Sequence, residues 1–170
     1  MWKKIASYLD NLKEELIKRG DKDQEIRKKQ MRYPSESPDD PIVKEMAQID
    51  EENTKWLKTI VQQIGFPGIK EVGEEAADAA WAIAQHSPDA NFRALVLQYM
   101  ESNPTNYKSE LIATMKDRVL TDQGKPQLYG TQYETKDGKN IPDPIQDPDK
   151  VDERRKSMGM GTLKEYLEES

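Results

Sequence analysis

Three predicted helices each carry a polar residue on an apolar stripe, where a side chain capable of chemistry would point inward. His86, the only histidine of the chain, follows Ile83 at a spacing of three, and Arg118 follows Met115 at the same spacing. Asn53 lies within the stripe of a third helix. A buried polar group costs free energy unless it is hydrogen-bonded, so each of these residues should meet a partner.

These residue types allow acid–base chemistry, with His86 as general acid/base and Arg118 as the clamp for a carboxylate or phosphate group. The structural alternative stays open for all of them. An inward histidine can be a satisfied core residue, and an arginine near a helix end usually pairs with a carboxylate such as Asp117. Asn53 can serve only to fix the register of its helix.

The segment QLYGTQ (127–132) reads as the first strand of a hairpin, and it is unusually polar. Gln127, Tyr129 and Thr131 would share one face of an ideal strand. Gln127 and Gln132 are predicted to orient an amide-bearing ligand at one wall of a polar pocket. Both can reach one pocket only if the strand bends, and Gly130 is the residue that permits a bend and close backbone approach.

The elements that position these residues are marked by cap-and-proline pairs, in which a capping side chain precedes a proline at the first helical position. The pattern predicts a mainly α fold: a compact helical domain of about five to seven helices with one small β-hairpin near residues 126–145, turning at Asp137-Gly138. The four pairs are Asp40-Pro41, Ser87-Pro88, Asn103-Pro104 and Asp147-Pro148.

The domain organisation follows from an apolar stripe between Trp2 and Leu16 that is followed by Gly20. This pattern predicts an N-terminal amphipathic arm over residues 1–20 and a single helical domain over residues 21–170. Proline and serine in residues 33–41 indicate a linker.

Composition narrows the function classes. The chain has 170 residues and a formal net charge of −6. It has no cysteine, which excludes disulfides and thiolate metal sites. Residues 1–33 hold ten Lys/Arg against six Asp/Glu, a balance of +4 that leaves −10 for the rest. The acidic body argues against nucleic acid as a partner, whereas the basic arm could contact an anionic one. The expected partner is a protein, a peptide or a small polar ligand.

Neither a cofactor nor a metal site is predicted, because the sequence lacks a Gly-rich phosphate loop and a histidine-rich ligand set. No apolar run reaches the length of about 20 residues that a membrane helix needs. The default expectation is therefore a soluble cytoplasmic protein.

Several segments together resemble an uncharacterised, mainly bacterial domain family of unknown function. They are GFPG…VGEEAADAAWAIAQHS, MKDRVL…GKPQLYGTQ and PIQDPDKVDERRKSMGMGTLKEY, preceded by DKDQEIR and IDEENTKWL. The chain has Phe66 and Met160 where the family usually has Trp and Leu. The resemblance implies that one site contains His86, Asp117, Arg118, Gln127, Tyr129, Gly130, Thr131, Gln132, Asp152, Arg154 and Arg155.

Two functions stay open. The first is a binding or inhibitory module whose polar pocket is formed by His86, Arg118 and the 127–132 strand. The alternative is a small hydrolase or group transferase that uses His86 as general acid/base and Arg118 as anion clamp, with Asp117 as a further catalytic candidate. The predicted ligand-binding residues are Asn53, Gln127, Tyr129, Gly130, Thr131, Gln132, Arg154 and Arg155.

Overall fold

The computed structural model describes residues 2–35, 37–136 and 138–169, with the side chains of residues 6–35, 37–136 and 138–168. Within these residues the fold is mainly α with one small hairpin, as predicted. The elements in chain order are α1 (Trp2–Arg32), α2 (Pro41–Ile64), α3 (Ile69–Val72), α4 (Glu74–Gln85), α5 (Ala90–Ser102), α6 (Ser109–Asp122), β1 (Tyr133–Lys136), β2 (Lys139–Pro142), α7 (Val151–Ser157) and α8 (Leu163–Glu169).

The chain divides into two compact units, residues 1–92 and residues 93–170. Unit 1 contains α1 to α4 and the first turn of α5, and its core is built from the apolar stripes of α1, α2 and α4. Unit 2 contains the rest of α5, α6, the hairpin, α7 and α8. Each unit holds one of the polar networks described below.

Helix α1 is longer than the sequence predicted. The predicted end at Gly20 is wrong, because the helix continues without interruption to Arg32. Gly20 serves packing instead: a Cβ at this position would lie 2.8 Å from the Cβ of Ala79 in α4. The absence of a side chain therefore lets α1 and α4 approach closely.

Helix α2 begins at Pro41, as the Asp40-Pro41 pair predicted, and local chemistry explains both of its ends. The Asp40 carboxylate accepts hydrogen bonds from the backbone N–H groups of Ile42 and Val43, and Pro41 occupies the first helical position. At the other end Gly65 has a φ of 81°, a conformation that favours glycine. Ile49 and Leu57 lie on its buried face.

Two other cap-and-proline predictions differ in detail. Helix α5 begins at Ala90 rather than near Pro88, because Asp89 accepts the backbone N–H of Phe92 and takes the capping role predicted for Ser87. The pairs at 103–104 and 147–148 open single 3-10 turns, Pro104–Asn106 and Pro148–Lys150, before α6 and α7 begin.

The hairpin in unit 2 is shorter than predicted. Strands β1 and β2 pair antiparallel with Tyr133 opposite Pro142 and Lys136 opposite Lys139. Residues 127–132 do not form part of the hairpin, and Gln127 makes only an isolated bridge to Ile145. Gly138 has the positive φ that the predicted turn requires, at 71°, whereas Asp137 lies outside the described residues.

Leu12 and Leu16, which belong to the predicted arm, are buried within unit 1, and Leu16 has no exposed surface. We therefore expect Leu16→Ala to lower the free energy of unfolding by about 3 kcal/mol, as for other fully buried leucines. Lys18→Ala, on the exposed face of the same helix, should change it by less than about 0.5 kcal/mol. Urea unfolding measures both. A cost below about 1 kcal/mol for Leu16→Ala would indicate that residues 1–20 behave as a separate arm.

Candidate functional site

Unit 1 holds a network of four titratable or charged side chains around a fully buried carboxylate. Helix α1 contributes Asp23 and Arg27, one helical turn apart, α2 contributes Asp50, and His86 is the C-cap of α4. Asp23 has no exposed surface, while the side chains of Arg27 and His86 are 23% and 22% exposed. The network therefore reaches from the core of the unit to its surface.

The guanidinium of Arg27 lies between two carboxylates. Its Nη2 is 3.2 Å from Oδ1 of Asp23 and 2.5 Å from Oδ1 of Asp50. Its Nη1 donates to the Sδ of Met46 at 3.3 Å. The two negative charges account for most of the donor capacity of this arginine.

The Nδ1 atom of His86 has two competing neighbours. It lies 2.9 and 3.1 Å from the carboxylate oxygens of Asp23 and 2.8 Å from Nε of Arg27. A protonated Nδ1 donates to Asp23, whereas an unprotonated Nδ1 accepts from Arg27, and one nitrogen cannot do both. In either case Nε2 of His86 has no partner among the described residues.

The two carboxyl groups are shifted in opposite directions. Burial would raise the pKa of Asp23, but the hydrogen bond with His86 and the charges of His86 and Arg27 outweigh it and hold the pKa below its ordinary value. For Asp50 burial is the largest influence and exceeds the effect of Arg27, so its pKa lies above the ordinary value.

A groove of about 560 Å³ opens beside this network, entirely within unit 1. Arg27 and His86 line it together with two glutamines and an apolar wall. The Nε2 of Gln30 donates to the carbonyl of Ser35 at 2.6 Å, and its buried Oε1 has no hydrogen-bond partner among the described residues. The remaining lining residues are Gln24, Met31, Met46, Trp81 and Ala82.

Asn53, a predicted ligand-binding residue, is buried in α2 of the same unit. Its Oδ1 accepts a hydrogen bond from Nη1 of Arg19 at 3.1 Å, and that guanidinium stacks over Trp56 at 4.5 Å from the ring centroid. Its Nδ2 is buried and has no hydrogen-bond partner in the described part of the chain. Asn53 does not line the groove.

Unit 2 is organised by a second carboxylate without exposed surface, that of Asp117 in α6. It accepts hydrogen bonds from the backbone N–H groups of Leu128, Tyr129 and Thr131 at 2.7 to 3.1 Å, and from Oγ1 of Thr131 at 3.0 Å. These backbone donors are therefore not free for strand pairing. This explains why residues 127–132 form a loop around Asp117 rather than a strand.

The two glutamines of this loop are joined by hydrogen bonds between the side chain of Gln127 and the backbone of Gln132. The side chain of Gln127, which has no exposed surface, donates to the carbonyls of Gln132 and Asp143, and its Oε1 accepts the backbone N–H of Gln132. The amide of Gln132 donates to Oγ1 of Thr131. These internal bonds account for the polarity of the loop without a ligand, and the predicted role of both glutamines in recognition stays a prediction.

Two arginines of α7 hold the same loop by its carbonyl groups. Nε of Arg154 donates to the carbonyl of Leu128 at 2.7 Å. The nearly fully buried Arg155 donates to the carbonyls of Tyr129 and Gly161 and stacks over Tyr166 at 4.8 Å. Arg154, Arg155 and the 127–132 loop therefore lie together in unit 2.

Asp152 and Arg118 occupy other positions in unit 2. Asp152 accepts the backbone N–H of Leu163 at the start of α8. Arg118 follows Asp117 in α6 and is half-buried. The phenol of Tyr129 has a raised pKa, chiefly because it is partly buried and also because Asp117 is near.

The predicted site residues thus fall into two groups. His86 and Asn53 belong to unit 1, and the remaining ones, from Asp117 to Arg155, belong to unit 2. That His86 and Arg118 share one pocket with the 127–132 segment stays a prediction. Among the described residues no group of three or more acidic or histidine side chains could hold a metal ion, and no described helix has the length and hydropathy of a membrane span.

Sequence reasoning did not assign Asp23 or Arg27, which are the immediate partners of His86. A signal was present, because the two residues stand four apart on one predicted helix and fall in DKDQEIR, one of the segments that carry the family resemblance. Asp50 was likewise not assigned to the site. The missing step was the pairing across the fold, which spacing along the chain does not give.

A substitution at Gly130 tests the role of this residue in the 127–132 loop. Its φ is 71°, and a Cβ there would lie 2.6 Å from Cδ1 of Leu163. We expect Gly130→Ala to cost roughly 2–4 kcal/mol, since it combines backbone strain with a clash. Gly124→Ala is the matched control, because φ is 67° there but an added Cβ would have no heavy atom of the described residues, other than its chain neighbours, within 4 Å. Equal losses in thermal unfolding would show that backbone strain alone decides.

The opposite pKa shifts of the unit 1 carboxyls predict unequal costs for two isosteric changes. Asp23→Asn should lower the free energy of unfolding at neutral pH by roughly 2 kcal/mol, a value reduced for the exposure of its partners, and Asp50→Asn by less than about 1 kcal/mol. The stabilisation from ionised Asp23 is present above the unfolded pKa near 3.8 and is lost as pH falls through the lower folded value.

The contribution of Asp50 to stability depends on pH in the opposite direction to that of Asp23. Ionising Asp50 costs free energy in the folded state, and this cost is relieved as pH falls through its raised folded pKa. Urea unfolding of both variants between neutral pH and about pH 3 measures the difference. A larger loss for Asp50→Asn than for Asp23→Asn would contradict the assignment of Asp23 as the centre of the network.

Comparison with known proteins supplies a family without an activity. Neither a curated protein nor a solved structure matches the chain. The model of DUF6624, a family of unknown function, matches residues 10–169, from within α1 to the end of α8. Because this match covers nearly the whole chain, the protein belongs to the DUF6624 family.

Proposed function

We propose that unit 1 is a ligand-binding module whose groove takes up a small molecule and that His86 contacts this ligand. The observation that carries the proposal is the asymmetry of the His86 ring. Its Nδ1 faces Asp23 and Arg27 within the protein, whereas Nε2 has no partner among the described residues and the ring lines the groove. A histidine with a purely structural role would usually have both nitrogens satisfied.

The groove has the size and mixed lining that small-molecule sites share. Its volume of about 560 Å³ lies within the common range of roughly 300–1,000 Å³. Met31, Met46 and Trp81 offer an apolar wall, and Arg27, Gln30 and His86 offer polar atoms. Such a combination lets the apolar wall provide affinity while a few polar groups fix the orientation of the ligand.

Met31 gives further support because it is exposed without an evident structural reason. It stands near the C-terminal end of α1, is 72% exposed and lines the groove. Methionine adapts its shape to different apolar partners because its side chain is unbranched and polarisable. A groove rimmed by such a residue suits a bound small molecule.

The polar network of unit 2 gives less support for binding. The donors and acceptors of Asp117, Gln127 and Arg155 meet partners inside the unit. They therefore suit a role in holding the loop. That Arg118 and the 127–132 segment contact the same ligand stays a prediction from the sequence.

A hydrolase or group transferase is the second candidate, and the Asp23–His86 pair favours it. A buried carboxylate that accepts from Nδ1–H fixes the tautomer in which Nε2 is a base. None of the residues lining the groove is a serine, threonine or tyrosine. The chemistry that Nε2 of His86 offers here is proton transfer to or from the ligand or an attacking water.

A groove-filling variant tests the proposal. Ala82→Phe places a large ring in the groove, whereas Ala47→Phe makes the same change at an exposed position of α2 that does not line it. Native mass spectrometry of the intact protein should detect a small molecule retained by the wild type and by Ala47→Phe, and lost from Ala82→Phe. Near-equal melting temperatures of the two variants provide the folding control.

One outcome of this experiment would contradict the proposal. If Ala82→Phe retains the same molecule in the same proportion as the wild type, the groove is not its site. The single histidine adds a second readout, because the ring nitrogens of His86 give the only imidazole signals in a ¹H–¹⁵N spectrum. Removing the retained molecule should shift the Nε2 signal more than the Nδ1 signal.

If the molecule is a substrate, its mass should change on incubation with the wild type. Asp23→Asn should bind it and slow this change by at least about tenfold, since the tautomer of His86 is no longer fixed.

A further inference from the structure

The positive and negative charges around the groove do not balance. This imbalance indicates which class of ligand the groove binds, an inference that rests on the proposed function. Two carboxylates, Asp23 and Asp50, face one guanidinium, that of Arg27. With His86 neutral, the sum is two negative charges and one positive, a net charge of −1. Among the described residues that line the groove, Arg27 is the only Lys, Arg, Asp or Glu.

Arg27 has little capacity left for an anionic ligand. Its Nε faces His86 and Asp23, its Nη2 faces both carboxylates, and its Nη1 donates to Met46. An anion approaching this side chain would also approach two carboxylates. In a partly buried site that repulsion is weakly screened, and it offsets the attraction of the guanidinium.

Two residues that line the groove each have a polar atom without a donor among the described residues. When Nδ1–H of His86 donates to Asp23, Nε2 presents a lone pair. Oε1 of Gln30 is buried without a partner, while the other end of that amide is fixed by the carbonyl of Ser35. In that tautomer a ligand N–H group, rather than an acceptor oxygen, satisfies Nε2 of His86.

We infer that the groove binds a small protonated amine with an apolar or aromatic body. The ammonium group would donate to Nε2 of His86 and compensate the surplus carboxylate charge. The body would pack against Met31, Met46 and Trp81. An ammonium near an indole gains a further attraction from the negative face of the ring.

Three probes of similar shape and different charge test this inference: 2-phenylethylamine, 3-phenylpropionamide and 3-phenylpropionate. At about pH 8 an alkylamine is protonated and an ordinary imidazole is neutral. Titration followed by the ¹⁵N signals of His86 and the indole N–H signal of Trp81 gives a Kd for each probe. We expect the amine to bind at least about tenfold more tightly than the carboxylate, with the amide between them.

A pair of isosteric variants isolates the contribution of charge. Asp50→Asn removes one carboxylate beside Arg27 and should weaken amine binding by about fivefold while strengthening carboxylate binding. Glu51→Gln removes the same charge from the adjacent, exposed position of α2, where Glu51 pairs with Lys55, and should leave both affinities within about twofold. Melting curves with and without each probe show whether the variants stay folded.

The outcomes separate the inference from the proposed function. Tighter binding of the carboxylate than of the amine, or an unchanged preference in Asp50→Asn, would overturn the amine assignment and leave a ligand-binding groove in place. If no probe of any charge shifts the signals of His86 or Trp81 at millimolar concentration, the proposed function falls together with the inference.

Discussion

A carboxylate with no exposed surface stands at the centre of each compact unit, Asp23 in unit 1 and Asp117 in unit 2. Removing a carboxylate from water costs several kcal/mol or more unless hydrogen-bond donors and positive charge replace the lost solvent. The chain must therefore bring suitable donors to both positions. Much of the local structure around the two networks follows from how those donors are supplied.

The two units supply donors in different ways. Around Asp117 they are backbone N–H groups of residues 128–131, so the loop must curve around the carboxylate, and Gly130 takes the positive φ that this path needs. The carbonyl groups of the same loop then accept from Arg154 and Arg155. Around Asp23 the donors are the side chains of Gln24, Arg27 and His86. Side-chain donors leave the backbone helical and keep their remaining atoms available at the surface.

Features set by local chemistry could be predicted from the sequence, and features set by distant partners could not. The bounds of α2 follow from the Asp40 cap, Pro41 and Gly65, which act within a few residues. The inward placement of His86 follows from its spacing to Ile83, but its partner Asp23 lies 63 positions away. A stripe on a helix tells which side a residue faces, and it contains no information about what that side meets.

Two errors have the same origin. Gly20 was interpreted as a helix end because glycine commonly ends helices, whereas here its missing side chain admits Ala79. The 127–132 segment was interpreted as the first strand of a hairpin, but Asp117 takes the N–H groups that a strand would use. In both places a tertiary contact overrode a local signal that was itself reasonable.

The difference between the two networks bears on where function is to be sought. A network whose donors and acceptors are matched inside the protein stabilises one conformation and offers nothing to a ligand, and the residues around Asp117 approach this condition. The network around Asp23 ends on His86, whose outer nitrogen has no partner among the described residues and whose ring lines a groove. With His86 neutral, the two carboxylates of this network also outnumber its one guanidinium. Unmatched hydrogen-bonding capacity and unmatched charge at a surface opening are what a ligand can satisfy, and in the described part of unit 1 both occur at the same groove.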